Sequence, residues 1–273
     1  MAKLAKRNPK VFYKYVNSKL KARSALPDLL TKDGTRVTSA MDKANMFNNF
    51  FSNVFTHEEM NHFPSALNLK TTEALDDIVF TEADVLSLFR KLNVTKSPGP
   101  DNIHPRVLKE CADELVSPLY TLFKASLSAG ELPQAWKVAT KPTISPIFKK
   151  GSRSDVSNYR PISLTSVCCK TMEKLVRDAL LKHTIQNNFL SDYQHGFIRG
   201  RSCTTQMLLV VDKLSEIFDQ GGAVDTIYLD FAKAFGSVPH ERRLLKLQCY
   251  GVNGCVLKWI KNFITLRQQS VLC

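Results

Sequence analysis

The segment Tyr228-Leu229-Asp230-Phe231-Ala232-Lys233-Ala234-Phe235 decides how the fold of this chain is interpreted. Apolar residues precede a single carboxylate at Asp230, and an aromatic ring follows at Phe235. Alternation of side chains predicts a half-buried strand that carries Tyr228 and Asp230 on one face and Leu229 on the other. The second face would pack on helices, so Asp230 would lie at the open end of the strand.

A carboxylate at a strand end has two interpretations from the residues alone. A hard cation such as Mg2+ prefers oxygen ligands and usually shares a carboxylate with substrate phosphates. A lone aspartate at such a place is also a common turn former or helix cap. The neighbouring segments, taken in their order along the chain, favour the metal site at Asp230.

Four other motifs accompany the Asp230 segment, which is itself followed by Ser237-Val-Pro-His240. They are Lys96-Ser-Pro-Gly-Pro-Asp-Asn-Ile-His-Pro105, Pro146-Ile-Phe-Lys-Lys-Gly151, Asn158-Tyr-Arg-Pro-Ile-Ser-Leu-Thr165 and Gln194-His-Gly-Phe-Ile-Arg-Gly-Arg-Ser202. In this order the motifs resemble the reverse transcriptases of LINE-type (non-LTR) retrotransposons, especially the jockey-like and chicken-repeat-like branch. The resemblance runs from about residue 8 to the last residue.

The resemblance implies an RNA-directed DNA polymerase, a nucleotidyltransferase that works with Mg2+, an RNA template, a DNA primer and deoxynucleoside triphosphates. It implies that Asp230 is the first catalytic carboxylate and a metal ligand, and that the main-chain carbonyl of Phe231 is a further ligand. It also implies that Phe235 packs beneath the sugar of the nucleotide and rejects a 2′ hydroxyl. Without the resemblance, Phe235 would be interpreted as a core phenylalanine.

Basic residues in three of the motifs are implied to contact nucleotide or template. The resemblance places Arg160 over the incoming nucleotide, where its guanidinium would pair bidentately with phosphate. Arg199 and Arg201 flank a glycine and are candidates for triphosphate or template contacts, although a solvated basic turn is the alternative for Arg199. Lys149 and Lys150 are expected to contact the template backbone. We expect Asp230 to point into an open cleft near Arg160 and Arg201.

Two departures from the family pattern bear on activity. Gly236 stands where the family has an aspartate, and we expect it to loosen the site. After Asp230 the chain contains one further carboxylate, Glu241, whereas the family uses a later pair of aspartates on a tight hairpin. Because two cations need more than one anionic ligand, we expect a fragment that does not extend a primer as it stands. The Asp76-Asp77 pair is predicted to be a turn instead.

Composition limits the function classes. The 273 residues are 44% hydrophobic, enough for one or two cores, and carry a net charge of +13. Basic residues cluster in 1–23 and 132–170, which fits a polyanionic partner or simply a soluble basic face. No apolar run approaches the ~18 residues of a membrane span, and no Cys-x-x-Cys motif has a His partner. We therefore expect no membrane association, no zinc and an intracellular location, in the nucleus or cytoplasm, without secretion.

The predicted fold class is α+β: right-hand polymerase fingers plus an incomplete palm, preceded by an N-terminal helical extension. The predicted units are residues 1–77 (extension and linker), 78–222 (fingers-like) and 223–273 (truncated palm). Pro118 is predicted to interrupt a helix that Gly130 ends. Helices are predicted at 9–22, 40–55, 81–92, 105–129, 166–186, 203–219, 242–250 and 256–266, and strands at 144–149, 159–164, 224–230 and from 268.

Two other functions remain open from the sequence. The same basic clusters would serve a non-catalytic RNA- or DNA-binding remnant of such an element. A third interpretation is a chain without a cellular role that does not fold stably, because an unpaired sheet edge at the palm would favour aggregation.

Overall fold

Helices dominate the architecture, and two short hairpins supply the strands. The structure is a computed structural model that describes residues 26–56, 58, 70–137, 144–265 and 267–271. The predicted helix 9–22, the basic cluster 1–23 and Lys141 of the basic cluster 132–170 lie outside these residues. The elements are β1 (Leu29–Leu30), β2 (Arg36–Val37), α1 (Ala40–Ser52), α2 (Glu82–Arg90), α3 (Pro105–Glu110), α4 (Ala112–Ala129), α5 (Gln134–Lys137), β3 (Ile144–Phe148), β4 (Tyr159–Ser163), α6 (Val167–Gln186), α7 (Cys203–Asp219), α8 (His240–Cys249) and α9 (Gly254–Ile264).

The larger of two cores is helical. Helices α2, α4, α6, α8 and α9 turn their apolar stripes inward around Phe89, Phe123 and Trp259, which are all at most 2% exposed. The Trp259 indole nitrogen donates to the Ser126 hydroxyl over 3.1 Å, so the one polar edge of this large side chain is satisfied inside the core. Residues that precede α2 also join this core, through Leu75 and Ile78.

The second core joins α1 to the β3–β4 hairpin. Strands β3 and β4 are antiparallel, with Ile147 opposite Arg160 and Phe148 opposite Tyr159. Tyr159 turns inward and its ring meets that of Phe47 edge-on, with centroids 4.9 Å apart. The predicted N-terminal unit 1–77 therefore contributes to both cores, because α1 packs beneath the hairpin while Leu75 packs on the helices.

Local capping signals account for most of the helix boundaries. Thr81 and Asp84 form a reciprocal capping box at the start of α2. Ser202 caps α7 through the Thr205 amide, and Gly130 ends α4 in the left-handed conformation at φ +70°. None of the helices among the described residues has the length and apolar composition needed to cross a membrane.

The prediction that Pro118 interrupts a helix is wrong. Helix α4 continues through Pro118, and the break lies earlier, at Cys111 between α3 and α4. A proline inside a helix costs about 3 kcal/mol because it removes one backbone hydrogen bond. Here Val116 and Phe123, on either side of the proline, are buried in the same core, and this packing holds the two halves in one helix.

The predicted strand over 224–230 is also wrong. Residues 222–231 have no regular secondary structure, and no other described segment pairs with them. A strand needs a hydrogen-bonded neighbour, and without one Ile227, Tyr228 and Leu229 remain 83–89% exposed. Helix α7, which precedes this segment, contains no buried residue. The strand predicted from 268 is reduced to a single parallel bridge between Val271 and Ile144.

Candidate functional site

The β3–β4 hairpin presents a basic tip. Four cations lie between the middle of β3 and the middle of β4, all exposed and none in an ion pair with a described residue: Lys149, Lys150, Arg153 and Arg160. The turn between the strands is ordered by Asn158, whose side-chain amide donates to the Ser152 carbonyl over 3.0 Å. Gly151 belongs to this turn with φ +86°, a conformation that favours glycine.

Strand register explains why Arg160 points outward. Tyr159, its neighbour, is 5% exposed and donates its hydroxyl to the Arg153 carbonyl over 2.7 Å. Successive side chains of a strand alternate between faces, so a buried Tyr159 turns Arg160 to the opposite face beside Ile147. The sequence prediction that Arg160 lies within a strand is confirmed, and the structure leaves its guanidinium available to a ligand.

The two arginines of the Gln194–Ser202 loop, Arg199 and Arg201, have different surroundings, although the sequence gives both the same expected role. Arg199 is exposed and makes no hydrogen bond or ion pair with a described residue. Arg201 donates Nη1 to the carbonyls of Gln194 at 2.7 Å, Ser191 at 3.4 Å and Asp192, and its Nη2 lies 3.4 Å from the Asp192 carboxylate. The Arg201 guanidinium is thus largely occupied in shaping its own loop.

Three histidines have structural partners. His195 is 8% exposed and its Nδ1 lies 2.9 Å from the Thr205 hydroxyl, which ties the loop to the start of α7. His183 Nε2 lies 2.6 Å from the Tyr250 carbonyl, and His104 accepts the Arg106 amide at the start of α3.

Asp230 lies at the surface in the unpaired segment. It is exposed and makes no hydrogen bond or ion pair with any described residue, so it serves neither as a helix cap nor as part of a salt bridge. It forms no hydrogen bond or ion pair with Arg160 or Arg201, and the cleft expected to bring the three side chains together stays a prediction. No described strand pairs with residues 223–231, so no sheet fixes the position of this carboxylate.

The divalent cation that the family implies would find a partial ligand set here. The Asp230 carboxylate is unencumbered, and the Phe231 main chain follows directly. Within the described ranges, however, no group of three or more His, Cys, Asp and Glu side chains is close enough to hold a metal ion. Asp230 would supply one anionic ligand, and further ligands would have to come from the nucleotide or from residues outside this set.

The turn after Asp230 is more ordered than the segment before it. The Lys233 carbonyl accepts the Gly236 amide at 2.9 Å and the Ser237 amide at 3.2 Å, and Lys233 itself has φ +51°. Phe235 remains 82% exposed, and its ring meets the Phe197 ring edge-on with centroids 6.0 Å apart. Phe235 is therefore not a core residue, and it links this turn to the Gln194–Ser202 loop.

A cavity of about 670 Å3 lies where the Lys96–Pro105 loop meets the end of β4. Its polar lining includes Asp101, Ser166, His240 and Arg267, but neither Asp230 nor Arg160. Gly99 permits this approach, because a Cβ placed there would lie 2.7 Å from the Thr165 carbonyl oxygen. Gly99 and Thr165, which are 66 positions apart in the sequence, thus bring two of the motifs together at this cavity.

An ionisable pair, Cys169 and Glu173, lies near Arg267 of the cavity lining and was not singled out from the sequence. Burial raises the pKa of the Glu173 carboxyl, while the Cys169 thiol, which donates to Glu173 Oε1 over 3.4 Å, and the nearby Arg267 lower it in part. Burial also raises the pKa of the Cys169 thiol, and it raises the pKa of Cys168 to about 11. Only the helical spacing of these residues, four apart on α6, could have indicated the contact.

Comparison with known proteins shows what the chain is similar to. Residues 147–272, which include the basic hairpin, the arginine loop and Asp230, match the reverse transcriptase (RNA-dependent DNA polymerase) family. The chain is 29% identical over 217 residues to the RNA-directed DNA polymerase from mobile element jockey and 27% identical over 219 residues to the probable enzyme from transposon BS, both of Drosophila melanogaster. Each alignment covers 76% of this chain and 23% of the relative.

A more distant relative spans more of the chain. An uncharacterized 149 kDa protein of transposon TX1 from Xenopus laevis is 23% identical over 258 residues, which is 92% of this chain and 19% of that protein. These similarities support the resemblance to the reverse transcriptases of LINE-type, non-LTR retrotransposons that the motifs predict. A reverse transcriptase domain implies polymerase fingers and palm, and the mixed helices and strands fit that class.

Proposed function

We propose that this chain forms the template- and nucleotide-binding part of an RNA-directed DNA polymerase. The observation that carries the proposal is the basic tip of the β3–β4 hairpin, where Lys149, Lys150, Arg153 and Arg160 are exposed without acidic partners among the described residues. The hairpin is anchored by Tyr159 and Phe47 in the second core, so the cations are held on a rigid support. Fixed cations of this kind neutralise phosphates and release condensed counterions.

The residues have separate roles in this proposal. Arg160 and Arg199 contact the triphosphate of a deoxynucleotide, and Lys149 and Lys150 contact the backbone of an RNA template. Phe235 lies beneath the nucleotide sugar, and Arg201 holds the shape of the loop that carries Arg199. Units 78–222 and 223–273 correspond to fingers and part of a palm, and α1 belongs to an N-terminal extension that supports them.

Asp230, with the Phe231 carbonyl, holds a Mg2+ ion in this proposal. When bound, the ion neutralises charge on the triphosphate and on the oxygen of the primer. The protein contributes an unencumbered carboxylate at Asp230 and cations that position the phosphates. A two-metal reaction needs further anionic ligands, and Glu241 in α8 is the only carboxylate that follows Asp230 in the sequence.

Salt-dependent RNA binding tests the proposal. We expect the 273-residue chain to bind single-stranded RNA with an affinity that falls steeply with salt. The double variant Lys149→Ala/Lys150→Ala should reduce the slope of log affinity against log salt by roughly 1.4, because each phosphate contact contributes about 0.7 on a single strand. Lys91→Ala/Lys182→Ala is the matched control, since it removes the same charge from residues outside the hairpin. Equal slopes for the two double variants would contradict a hairpin interface.

A non-catalytic nucleic-acid-binding role is the second candidate. It is favoured by the single carboxylate at Asp230 and by the lack of a larger ligand cluster among the described residues. Primer extension on an RNA template with Mg2+ separates the two roles: we expect salt-dependent binding and no extension by the 273-residue chain. DNA synthesis that needs template and Mg2+, and that is lost in Asp230→Asn, would establish catalysis.

A further inference from the structure

We infer that residues 50–56 and Glu58, here termed the clamp segment, hold the turn that follows Asp230 and so position its carboxylate. The inference rests on the proposed role of Asp230 as a metal ligand. The clamp segment belongs to the predicted N-terminal extension, and it reaches residues 233–242 through four contacts of different kinds. Together the four contacts hold the chain from residue 233 to residue 242.

Glu58 makes the strongest of these contacts. Its Oε2 accepts the Glu241 amide at 2.8 Å, and its Oε1 accepts the Arg242 amide at 3.2 Å. These are orphan N–H groups in the first turn of α8, where Pro239 at the N-cap position makes no side-chain cap. The Glu58 side chain is only 10% exposed, and the Arg242 Nε lies 3.6 Å from it. A distant carboxylate thus caps α8 and complements its dipole.

Two further contacts hold the middle of the turn. The Thr56 hydroxyl donates to the Ser237 carbonyl over 2.8 Å, across a separation of 181 residues. The Lys233 ammonium lies 4.3 Å from the centroid of the Phe50 ring. A cation above an aromatic face is attracted by the ring quadrupole, so Phe50 restrains the residue three positions after Asp230.

Gly236 fits the clamp by its lack of a side chain. A Cβ at this position would lie 2.6 Å from Val54 Cγ1, too close without movement of one of the two groups. Its φ lies outside the left-handed range, so an alanine would meet a steric obstacle without backbone strain. The aspartate that the family has here would meet the same obstacle. In this chain, therefore, glycine at 236 and valine at 54 are complementary.

Hydrogen exchange tests the clamp on the full 273-residue chain. In Glu58→Gln we expect the amides of Glu241 and Arg242 to exchange about tenfold faster or more, because a charged acceptor is lost. Glu110→Gln, which changes an exposed carboxylate of α3, is the control and should leave these amides unchanged. Faster exchange throughout both cores in Glu58→Gln would show a global loss of stability and would overturn a local clamp.

A double-variant cycle tests the steric part. Gly236→Ala alone should speed exchange across residues 233–242, and Val54→Ala/Gly236→Ala should restore the slow exchange, because the smaller residue makes room for the new methyl group. Additive effects of the two substitutions would contradict the proposed complementarity of Val54 and Gly236.

A metal probe tests the positioning of Asp230. Mn2+ should broaden amide resonances around Asp230, Asp230→Asn should abolish the broadening, and Glu58→Gln should weaken it while Glu110→Gln does not. Unchanged broadening in Glu58→Gln, together with faster exchange, would overturn the positioning role. If Mn2+ has no effect in the unmodified chain, the proposed metal role of Asp230 fails, and the exchange experiments still decide whether the clamp exists.

Discussion

The Lys233 ammonium lies over the ring of Phe50, 4.3 Å from its centroid, although the two residues come from opposite ends of the described chain. Lys233 belongs to the turn after Asp230, and Phe50 belongs to α1 beneath the basic hairpin. The contact therefore connects the candidate catalytic segment to the support of the candidate template-binding surface. Four predictions follow from this and from other contacts in the structure.

Removing the charge of Lys233 should weaken the turn. Lys233→Met keeps most of the aliphatic stem but loses the ammonium, and we expect a loss of about 0.5–1 kcal/mol in the free energy of unfolding. Urea denaturation measures this loss. Lys246→Met is the control, because its ammonium lies 5.7 Å from the Tyr250 ring centroid, a weaker geometry. An equal loss in both variants would argue against a special role for the Phe50 contact.

Adding a methyl group at Gly99 should destabilise the chain. The new Cβ of Gly99→Ala would meet the Thr165 carbonyl oxygen at 2.7 Å and Ser166 Cα at 2.9 Å, both backbone atoms that have little room to move. We expect a loss of about 1–3 kcal/mol in urea denaturation, as for other overpacked sites. Gly196→Ala is the matched control, since nothing lies within 4 Å of its added Cβ. A Gly99→Ala variant as stable as Gly196→Ala would contradict the close approach of the two loops.

Stability should depend on pH through Glu173. Its carboxyl has an ordinary pKa of 4.5, and burial raises this value in the folded chain. The folded state therefore binds more protons than the unfolded state above pH 4.5, and this group's contribution to stability falls as pH rises through the folded pKa.

The matching variant is Glu173→Gln, which cannot ionise. Its free energy of unfolding relative to the unmodified chain should increase between pH 4.5 and pH 7, measured by urea denaturation at each pH. Glu110→Gln, which removes an exposed carboxylate, is the control. A constant difference for Glu173→Gln would mean that the carboxyl titrates in the same way in both states.

Replacing Arg201 by lysine should loosen the Gln194–Ser202 loop. An ammonium cannot reproduce the planar guanidinium that donates to the carbonyls of Ser191, Asp192 and Gln194. We therefore expect the free energy of opening this loop to fall by about 1.5–3 kcal/mol. Arg199→Lys, two residues earlier and exposed, should cost almost nothing in stability. Amide exchange within the loop measures both effects, and equal exchange in the two variants would contradict the role assigned to Arg201.

Much of the fold follows from local sequence signals. The capping box at Thr81, the serine caps of α6 and α7 and the glycine after α4 set boundaries within a few residues of those predicted. The strands β3 and β4 also lie where alternation and the Tyr-Arg-Pro motif place them. These features depend on neighbours in the chain, which is why a single sequence reveals them.

Three features of the structure could not be predicted in this way. The strand at Asp230 was predicted from alternation, but pairing depends on a partner strand that no described segment provides. Pro118 was predicted to break α4, but burial of its neighbours in one core outweighs the missing hydrogen bond. Arg201 donates hydrogen bonds to carbonyls of its own loop, and the directions of those carbonyls cannot be predicted from a pattern of residue types.

The resemblance to a family can thus be recognised from the amino-acid order, since motifs retain their residue types and spacing whatever surrounds them. The spatial relations were decided by packing: α1 under the basic hairpin, Glu58 at the start of α8, and Val54 against Gly236. Such contacts join residues as far as 184 positions apart, and they exist only once both cores have formed. Interactions between neighbours in the sequence set the helices, whereas the position of each charged side chain depends on the elements that pack around it.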